Sequence, residues 1–402
     1  MNTKRTTPTE MLLKGLMLFS ILTVIQGLDF FEDVNKIWLA VISLVFVLRL
    51  LTYRYTVTQF FMLLTTIVIH VFALYFTEFP LFHFNMLFYF ALWVMMYVFF
   101  SKSKAQIMTI LDSSDGYINT ILWIWTLLVG VSAFFPSCYK GNYFISLAGT
   151  SFRLMPAALI ITALAMYMAV SRGKKLYNLF LIVPTYAALM NQSRTYFGVY
   201  MLVLLMYLYA SFKNKKFFYL LLVPVVIIMY FFVLTSGIAE KFADVWVTGV
   251  TTEKFLASFT NMRTTFWEWD IEAFFALPFW QQFVGNGFNF PYDVTAQYLD
   301  DPIWAHNDII NLLMNFGYIG VLIYTWSYFQ MLKAFMPKNN KIPKIVKFLF
   351  HCAVFVNSMF NMSYTYLCAV ISYPLFLSVI SARYDGSNEK RVCYESRNCR
   401  HN

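Results

Sequence analysis

The sequence predicts an all-α integral membrane protein with about twelve transmembrane helices. Of its 402 residues, 60% are hydrophobic and 20% aromatic, whereas only 12% are charged. A typical soluble domain carries about 25% charged residues. Apolar runs of about 17 to 25 residues, long enough to cross a bilayer as a helix, recur along the chain. The composition therefore indicates a polytopic membrane protein and excludes an ordinary soluble domain.

Twelve apolar runs are predicted to form membrane helices. They lie at residues 11–28, 36–51, 57–76, 81–100, 117–135, 152–170, 176–190, 196–212, 217–236, 308–332, 347–362 and 364–382. Together they predict a single polytopic membrane domain over residues 1–402. It contains one large extracytoplasmic loop at 237–305 and ends in a cytoplasmic tail at 383–402.

The distribution of basic residues predicts the orientation, because short loops rich in Lys and Arg stay in the cytoplasm. With the N-terminus inside, the inner segments hold Lys4, Arg5, Arg54, Lys102, Lys104, Arg172, Lys174, Lys175, Lys213, Lys215, Lys216, Lys333, Lys338, Lys341, Lys344, Lys347 and Arg383. Both termini are therefore predicted to be cytoplasmic. The net charge of +10 follows from this bias. It favours contact with anionic lipids rather than with nucleic acid.

The loop 237–305 is rich in aromatic residues separated by polar ones. They are Trp246, Phe255, Phe259, Phe266, Trp267, Trp269, Phe274, Phe275, Phe279 and Trp280. This pattern is typical of amphipathic helices that lie on a membrane surface. Helices that pack as a lid over the membrane domain would give the same pattern, and both interpretations stay open.

Three arginines are predicted at the outer face. Arg194 lies in a short turn between the seventh and eighth helices, at a depth where a charge costs about 2.5–3.5 kcal/mol and calls for an anionic partner. Arg263 precedes Trp267 by four positions, so the two share a helix face. Arg153 begins the sixth helix. Each also has an ordinary interpretation: snorkelling for Arg194, pairing with a nearby acid for Arg263, and interfacial anchoring for Arg153.

His306 is the residue best suited to proton transfer, since the pKa of an unperturbed histidine is near 6.5. It directly precedes the tenth apolar run, and the positive end of that helix favours a neutral imidazole, the form that accepts a proton. Asn307 and Asp308 follow. Both residue types are good helix N-caps, so a purely structural role as helix starters is a strong alternative for these two.

The order of motifs resembles that of the O-antigen polymerase and O-antigen ligase superfamily. The motifs are Ser193-Arg194, Arg263-x3-Trp267, Pro278, Gly285-x-Gly287, His306-Asn307 and Gly317-x2-Gly320. Members of that family join polyprenyl-diphosphate-linked glycans outside the bacterial plasma membrane. The resemblance implies a GT-C-like polytopic glycosyltransferase fold with its active site on the extracytoplasmic side.

The resemblance also implies roles for individual residues. Arg194 and Arg263, with Arg153 as a looser match, would bind the donor diphosphate, because guanidinium groups match phosphate oxygens. His306 would act as the general base on an acceptor sugar hydroxyl. Supporting roles in shaping the loop fall to Trp267, Gly285, Gly287, Asn307 and Asp308.

The motifs do not distinguish a polymerase from a ligase. Polymerisation of polysaccharide repeat units, for O-antigen or capsule, is the preferred function because such polymerases are numerous and diverse. A glycan would pass from polyprenyl diphosphate to another lipid-linked repeat unit with inversion, and without a metal or cofactor. Membrane lipids and a chain-length regulator are the other expected partners. A ligase of the same superfamily is the alternative, and a transporter or flippase for lipid-linked sugars is an alternative of another class.

A competing metal site would use the acidic pairs Glu268–Asp270 and Asp300–Asp301. The five cysteines show no zinc-binding spacing.

Overall fold

The computed structural model describes residues 7–22, 25, 29–135, 138–139, 143–144, 147, 151–191, 193–234, 260, 262–336 and 341–384. At some of these positions, Arg153 among them, the side chain lies outside the described part. Within the predicted loop, residues 237–259 and 261 are also outside it. The same holds for most of the predicted tail, residues 385–402.

The described chain is helical apart from one small strand pair. Its helices are α1 (Pro8–Leu22), α2 (Asp29–Leu51), α3 (Val57–Phe76), α4 (Met86–Ser113), α5 (Asp115–Phe134), α6 (Ser151–Met166), α7 (Ile182–Met190), α8 (Arg194–Ser211), α9 (Lys215–Leu234), α10 (Arg263–Ala276), α11 (Phe290–Thr295), α12 (Asp308–Phe335), α13 (Lys344–Phe360) and α14 (Leu367–Tyr384). Strands β1 (Cys138–Tyr139) and β2 (Tyr143–Phe144) pair antiparallel. A π-helical turn over Tyr167–Ser171 extends α6, and a 3₁₀ helix over Lys175–Leu181 precedes α7.

The prediction of an all-α membrane protein is supported by the length and composition of these helices. Among the described residues, five helices are long and apolar enough to cross a membrane: Val57–Phe76, Met86–Ser113, Asp115–Phe134, Leu154–Ser171 and Asp308–Phe335. Each of the twelve predicted segments overlaps a helix. Twelve crossings and a GT-C-like fold stay predictions.

The surface of the bundle is apolar where lipid would cover it. On α3, Phe60, Phe61, Ile67 and Val71 are exposed, as expected of a helix that faces hydrocarbon chains. The interior lies around α4, which packs against α12, while α14 packs on α6 and α13 on α8. These pairs bring the starts of α8 and α12 to the same end of the bundle as the end of α13.

Basic side chains cluster at the opposite end. Lys104 Nζ donates to the carbonyl of Phe335, 3.2 Å away, and to Ser381 Oγ at 3.0 Å. Arg383 Nε donates to the carbonyl of Ala210 at 3.2 Å. The ends of α8, α12 and α14 therefore lie together with these cations. The positive-inside rule predicts that this end faces the cytoplasm.

Helix α12 is not the single straight membrane helix that the apolar run 308–332 predicts. The hydroxyl of Tyr324 donates to Asp308 Oδ2 at 2.7 Å, although the two residues are 16 positions apart. On a straight helix that separation would be about 24 Å, which their side chains do not span. The backbone leaves helical geometry at Gly317, with φ 62° and ψ −163°. The helix therefore folds back into two arms, 308–316 and 318–335.

The two arms differ in length. The arm 308–316 measures about 14 Å, too short to cross a hydrocarbon core of about 30 Å, whereas the arm 318–335 measures about 27 Å. The longer arm exposes Leu322, Trp326 and Phe329 on one face, as expected for contact with lipid. Gly320 permits close packing of the arms, because a Cβ there would lie 2.4 Å from Phe316 Cβ. The short arm is therefore a helical segment folded against the long one.

Glycines join the loop to this kink. A Cβ on Gly317 would lie 2.4 Å from the Gln282 carbonyl oxygen, and a Cβ on Gly285 would lie 2.4 Å from the Asn315 backbone. The amide of Asn286 donates to the Met314 carbonyl at 2.9 Å. The turn after the 3₁₀ helix Gln281–Phe283 is therefore packed backbone to backbone against the kink.

Gly287 makes a second junction. It has φ 93°, and a Cβ there would lie 2.7 Å from Thr77 Oγ1 at the end of α3. The next amide, that of Phe288, donates to the same oxygen at 2.9 Å. Gly285 and Gly287 thus dock the loop against two different helices, positions where only a residue without a side chain fits.

Replacing Gly317 with alanine should destabilise the protein strongly. The backbone conformation is one that only glycine adopts readily, at a cost of about 1–3 kcal/mol for another residue. The new methyl group would also overlap the backbone of Gln282 and Phe283. We expect a total loss of roughly 3 kcal/mol or more, measured as a lower unfolding temperature in detergent.

Gly130→Ala on α5 is the matched control, because nothing lies within 4 Å of a Cβ at that position. It should be neutral, or more stable by about 0.5–1 kcal/mol. Equal unfolding temperatures for Gly317→Ala and wild type would contradict the close packing at the kink.

Candidate functional site

Two arginine-bearing helix starts meet at the end of α13. Arg263 is the first residue of α10, directly after Met262, whose φ of 62° turns the chain into the helix. Its Nη1 atom donates to the carbonyl of Phe360, the last residue of α13. Thr195, the neighbour of Arg194 at the start of α8, donates to the same carbonyl at 3.4 Å. Arg194 and Arg263 are both half-buried.

His306 lies within electrostatic range of Arg263, and its backbone is held through its neighbour Ala305. The indole Nε1 of Trp267, one turn after Arg263 on α10, donates to the carbonyl of Ala305 at 2.6 Å. The backbone of His306 is left-handed, with φ 50°. This conformation is uncommon for a residue other than glycine. The Arg263-x3-Trp267 motif thus places two groups on one helix face near the histidine. One is the guanidinium group, and the other is the indole that hydrogen-bonds to the backbone just before His306.

The imidazole of His306 is a weak base in this environment. The pKa of His306 is lowered from 6.5 to about 3. The larger cause is burial of the ring, and the second cause is the positive charge of Arg263. The ring is therefore neutral at physiological pH, as the sequence predicts. The physical causes differ from the predicted one, since burial and a neighbouring cation account for the shift instead of the helix terminus.

Asn307 and Asp308 have different roles, although both residue types suit a helix N-cap. The side chain of Asn307 accepts hydrogen bonds from the amides of Ile309 at 2.9 Å and Ile310 at 3.1 Å, so Asn307 is the cap of α12. Asp308 is fully buried and does not cap. Its Oδ2 accepts hydrogen bonds from Tyr324 and Ser363.

The network around Asp308 joins the site to the connection between α13 and α14. Ser358 Oγ lies 3.0 Å from the hydroxyl of Tyr324 and 3.1 Å from Ser363 Oγ. Phe360, whose carbonyl accepts from Arg263, lies between these two serines in the chain. Asp308 and Arg263 therefore hold the same segment, 358–363. Tyr324, Ser358 and Ser363 belong to no motif. The fold-back of α12 brings Tyr324 to Asp308, and the segment that carries the two serines packs against that pair.

Not all predicted residues can be placed in this site. Arg153 lies in the first turn of α6, and its side chain is outside the described residues. Of the proposed metal-binding acids, Glu268, Asp300 and Asp301 are exposed, whereas Asp270 is fully buried. Within the described part of the chain, no three His, Cys, Asp or Glu side chains are grouped as a metal site would require.

Asp270 is a buried carboxyl group on the inner face of α10. It follows Arg263 by two helical turns and precedes Phe274, which belongs to a small apolar core with Ala305 and Met314. Neither carboxyl oxygen has a hydrogen-bond partner among the described residues. Burial raises the pKa of Asp270 from 3.8 to about 8. This carboxyl group is therefore mostly protonated at neutral pH.

Three aromatic side chains, one of them two positions before His306 in the chain, pack against one another. Trp304, two positions before His306, contacts Tyr292 with ring centroids 5.7 Å apart and His83 at 6.0 Å. Tyr292 and His83 are 5.6 Å apart. We call His83, Tyr292 and Trp304 the aromatic triad. The sequence indicated none of the three as a site residue. His83 lies in a different loop, between α3 and α4, so its contact with the other two rings is visible only in the fold.

Trp304 carries an unsatisfied donor. Only 6% of its surface is exposed, and its indole Nε1 has no hydrogen-bond partner among the described residues. A buried donor without a partner costs about 1–3 kcal/mol. The cost is notable because tryptophan N–H groups usually find a partner when buried.

Comparisons of the chain with protein-family models, with curated proteins and with solved structures found no match.

Asp270→Asn should remove a pH-dependent loss of stability. Because the pKa of Asp270 is about 8 in the folded protein and near 3.8 when unfolded, its stabilising contribution is full below about pH 4. That contribution is lost as the pH rises to about 8. Asparagine has nearly the same shape and does not ionise. At pH 8 we expect Asp270→Asn to be more stable than wild type by about 1–3 kcal/mol, measured by unfolding in detergent.

Glu268→Gln is the control, since Glu268 is exposed on the same helix. It should keep the pH dependence of wild type. If Asp270→Asn lost stability with rising pH as wild type does, the buried carboxyl would not be the cause.

Proposed function

We propose that the protein is a membrane glycosyltransferase that polymerises lipid-linked saccharide repeat units at the outer face of a bacterial plasma membrane. One observation carries the proposal: a guanidinium and a neutral imidazole, Arg263 and His306, lie within electrostatic range of each other at the end of an apolar helical bundle, where the start of α8 brings Arg194. Cations suit a diphosphate leaving group, and a neutral imidazole suits a hydroxyl that must lose its proton. The resemblance in motif order supports the same assignment.

The proposed reaction needs only residues of this chain. His306 takes the proton from an acceptor sugar hydroxyl, and the hydroxyl oxygen attacks the anomeric carbon of the donor from the face opposite the leaving group. The bond from that carbon to the diphosphate oxygen breaks, and polyprenyl diphosphate leaves with the electron pair. Arg194 and Arg263 stabilise the growing negative charge. The product is one glycosidic bond with inverted configuration, and the proton stays on His306 until solvent takes it.

Because Arg263 is positively charged, the basicity of His306 depends on whether the donor is bound. In the free protein this charge and burial hold the pKa of His306 near 3, which gives a weak base. A bound diphosphate places negative charge against Arg263 and offsets its effect on the ring. An anion nearby also favours protonated imidazole directly, so the pKa of His306 rises when the donor binds. His306 therefore becomes an effective base once the leaving group is in place.

Purified protein in liposomes should lengthen a lipid-diphosphate oligosaccharide without any other protein. Elongation would exclude transport as the main role. We expect His306→Asn to lose about 10²–10⁴-fold in rate, as for loss of a general base. Asparagine is chosen because it tolerates the left-handed backbone of His306. Arg263→Gln should lose about 10²–10³-fold, and Arg263→Lys less, because lysine keeps the charge without the planar fork.

Matched controls are His351→Asn and Arg54→Lys, both at exposed positions away from this end. Their rates should equal that of wild type. Full elongation by folded His306→Asn would refute the assignment of the base. Activity lost to a chelator and restored by a divalent ion would contradict a metal-free reaction.

The pH dependence should differ between the free protein and its donor complex. The acid limb of kcat/KM for the donor reports the base in the free protein, and that of kcat reports it in the complex. Since His306 must be neutral to act, and its pKa rises on donor binding, the acid limb of kcat should lie at the higher pH. Coincident limbs would contradict the influence of the diphosphate on His306.

A further inference from the structure

Four aromatic side chains are exposed close together at the end of α10 and in the turn that follows it. Phe275 is 59% exposed, and Phe279, Trp280 and Phe283 are 74%, 56% and 40% exposed. We call these four residues the aromatic patch. An aromatic side chain contributes about 150–250 Å² of surface when it is buried, so leaving four of them in water is unfavourable. An exposed apolar patch of this kind marks a surface that contacts another molecule or a membrane.

The turn that carries the patch is held in a fixed position. Gln282 Nε2 donates to the carbonyl of Leu277 at 3.0 Å, which ties the turn to the end of α10. The rings of Phe279 and Phe283 contact each other with centroids 5.2 Å apart. Phe283 also contacts Tyr318, at the start of the long arm of α12, with centroids 5.7 Å apart. The exposed rings therefore form a surface whose position is set by α10 and α12.

The patch continues the lipid-facing side of α3. Trp280 contacts Phe76, the last residue of α3, with ring centroids 5.7 Å apart. The residue before Phe76 is Tyr75, which is 80% exposed. Ile67 and Val71, which precede Tyr75 by two turns and one turn, are exposed on the same helix face. The aromatic patch thus lies beside the face of α3 that a bilayer would cover.

The length of α3 indicates the level of the patch in a bilayer. Its 20 residues rise about 30 Å, which is about the thickness of the hydrocarbon core. The first turn of α3 lies toward the basic end of the bundle, since Gln59 Nε2 donates to Ser101 Oγ of α4 at 3.2 Å, three positions before Lys104. Phe76 therefore lies at the opposite boundary of the core, and Trp280 lies at the same level. Tryptophan is enriched at that level in membrane proteins.

The charges on α10 also fit a membrane boundary. Ile271 and Phe275 form an exposed apolar pair one turn apart, and Glu268 and Glu272 form an exposed acidic pair next to it around the helix. Residues 268–284 contain no Lys or Arg. A helix with this arrangement can rest its apolar edge among acyl chains while its carboxylates face water. With no basic side chain to bind anionic headgroups, the attraction to the membrane is apolar.

We propose that the aromatic patch lies in the bilayer at the end of the bundle that carries the site, with its rings at the level where acyl chains meet phospholipid headgroups. Of the two interpretations of the loop, this one places residues 271–283 on the membrane surface instead of in a lid above it. The backbone of the same turn packs against the kink at Gly317. The contact with lipid therefore sets the height of the arm 308–316, and of His306 before it, above the membrane. The proposal does not rest on the proposed function.

Paramagnetic broadening of fluorine resonances tests where the patch lies. Protein labelled with fluorotryptophan is reconstituted in phosphatidylcholine bilayers, and the resonance of Trp280 is identified by its loss in Trp280→Phe. Two reagents are compared, a phosphatidylcholine with a nitroxide on its acyl chain and a gadolinium chelate in the water. The reference in the same loop is Trp269, which stacks on Tyr298 with centroids 4.1 Å apart, two positions before the exposed Asp300. We expect the lipid nitroxide to broaden Trp280 more than Trp269, and the chelate to broaden it less.

Two added reporters and a lipid reference complete the design. Phe279→Trp introduces a resonance at the most exposed position of the patch, which keeps the test valid if Trp280→Phe does not fold. Its matched control is Tyr298→Trp, at an exposed aromatic position outside the patch. The first should respond as Trp280 does, and the second as Trp269 does. Trp123 is the reference for lipid contact, because it is 57% exposed on α5, a helix long and apolar enough to cross a membrane.

The other outcomes overturn the proposal. If the chelate broadens Trp280 and the Phe279→Trp reporter as strongly as Trp269, the loop is a lid in contact with water. If neither reagent broadens them, a second copy of the chain or another segment covers the patch. Adding phosphatidylglycerol should leave the broadening unchanged, and broadening that requires this anionic lipid would contradict an apolar contact. Each readout is independent of elongation, so the patch can fail while the glycosyltransferase stands, and the reverse.

Discussion

The fold-back of α12 depends on the hydrogen bond from Tyr324 to Asp308. A carboxylate buried in an apolar bundle is very costly unless donors surround it. Tyr324 and Ser363 supply those donors, and Tyr324 becomes available only when the arm 308–316 lies against the arm 318–335. The glycine at 317 permits the fold-back, and Gly320 permits close contact between the arms. Polarity and backbone freedom thus act together, since neither alone would place residues 306–308 against the end of α13.

The site follows from the rule that backbone polar groups in an apolar environment need partners. The last carbonyls of a helix have none within the helix. At the end of α13, the Phe360 carbonyl accepts from Arg263 and Thr195. The end of α13 needs hydrogen-bond donors, and the positively charged Arg263 is one of the donors that bind there. The same contact holds the arginine close enough to lower the pKa of His306. One carbonyl therefore affects both the packing of the helix end and the basicity of the histidine.

Hydropathy and charge predict the helices well, because long apolar runs have few alternatives to helix in a membrane. The run 57–76 is the clearest case, since its predicted limits are those of α3. The same reasoning fails at 308–332, where an apolar run gives no sign that its two halves fold together. Gly317 was visible as part of a motif, but its conformation depends on Gln282 and Phe283, far away in sequence. Asp270 is a similar case: the sequence offered it as half of an exposed acidic pair, and the helical turn buries it beside Phe274 instead. Contacts between distant segments decide these features, and single-sequence patterns do not encode them.

The proposed role of His306 as a base gives a reason for an arginine within its electrostatic range. An imidazole that is strongly basic in the free protein would be protonated at neutral pH for part of the time and would then bind no proton from a sugar. Arg263 and burial keep it neutral. In the proposed reaction, a bound diphosphate would reverse the electrostatic part of this effect when a leaving group is present. Burial also limits the access of water to the ring, which matters because water would compete with the sugar hydroxyl for the same donor.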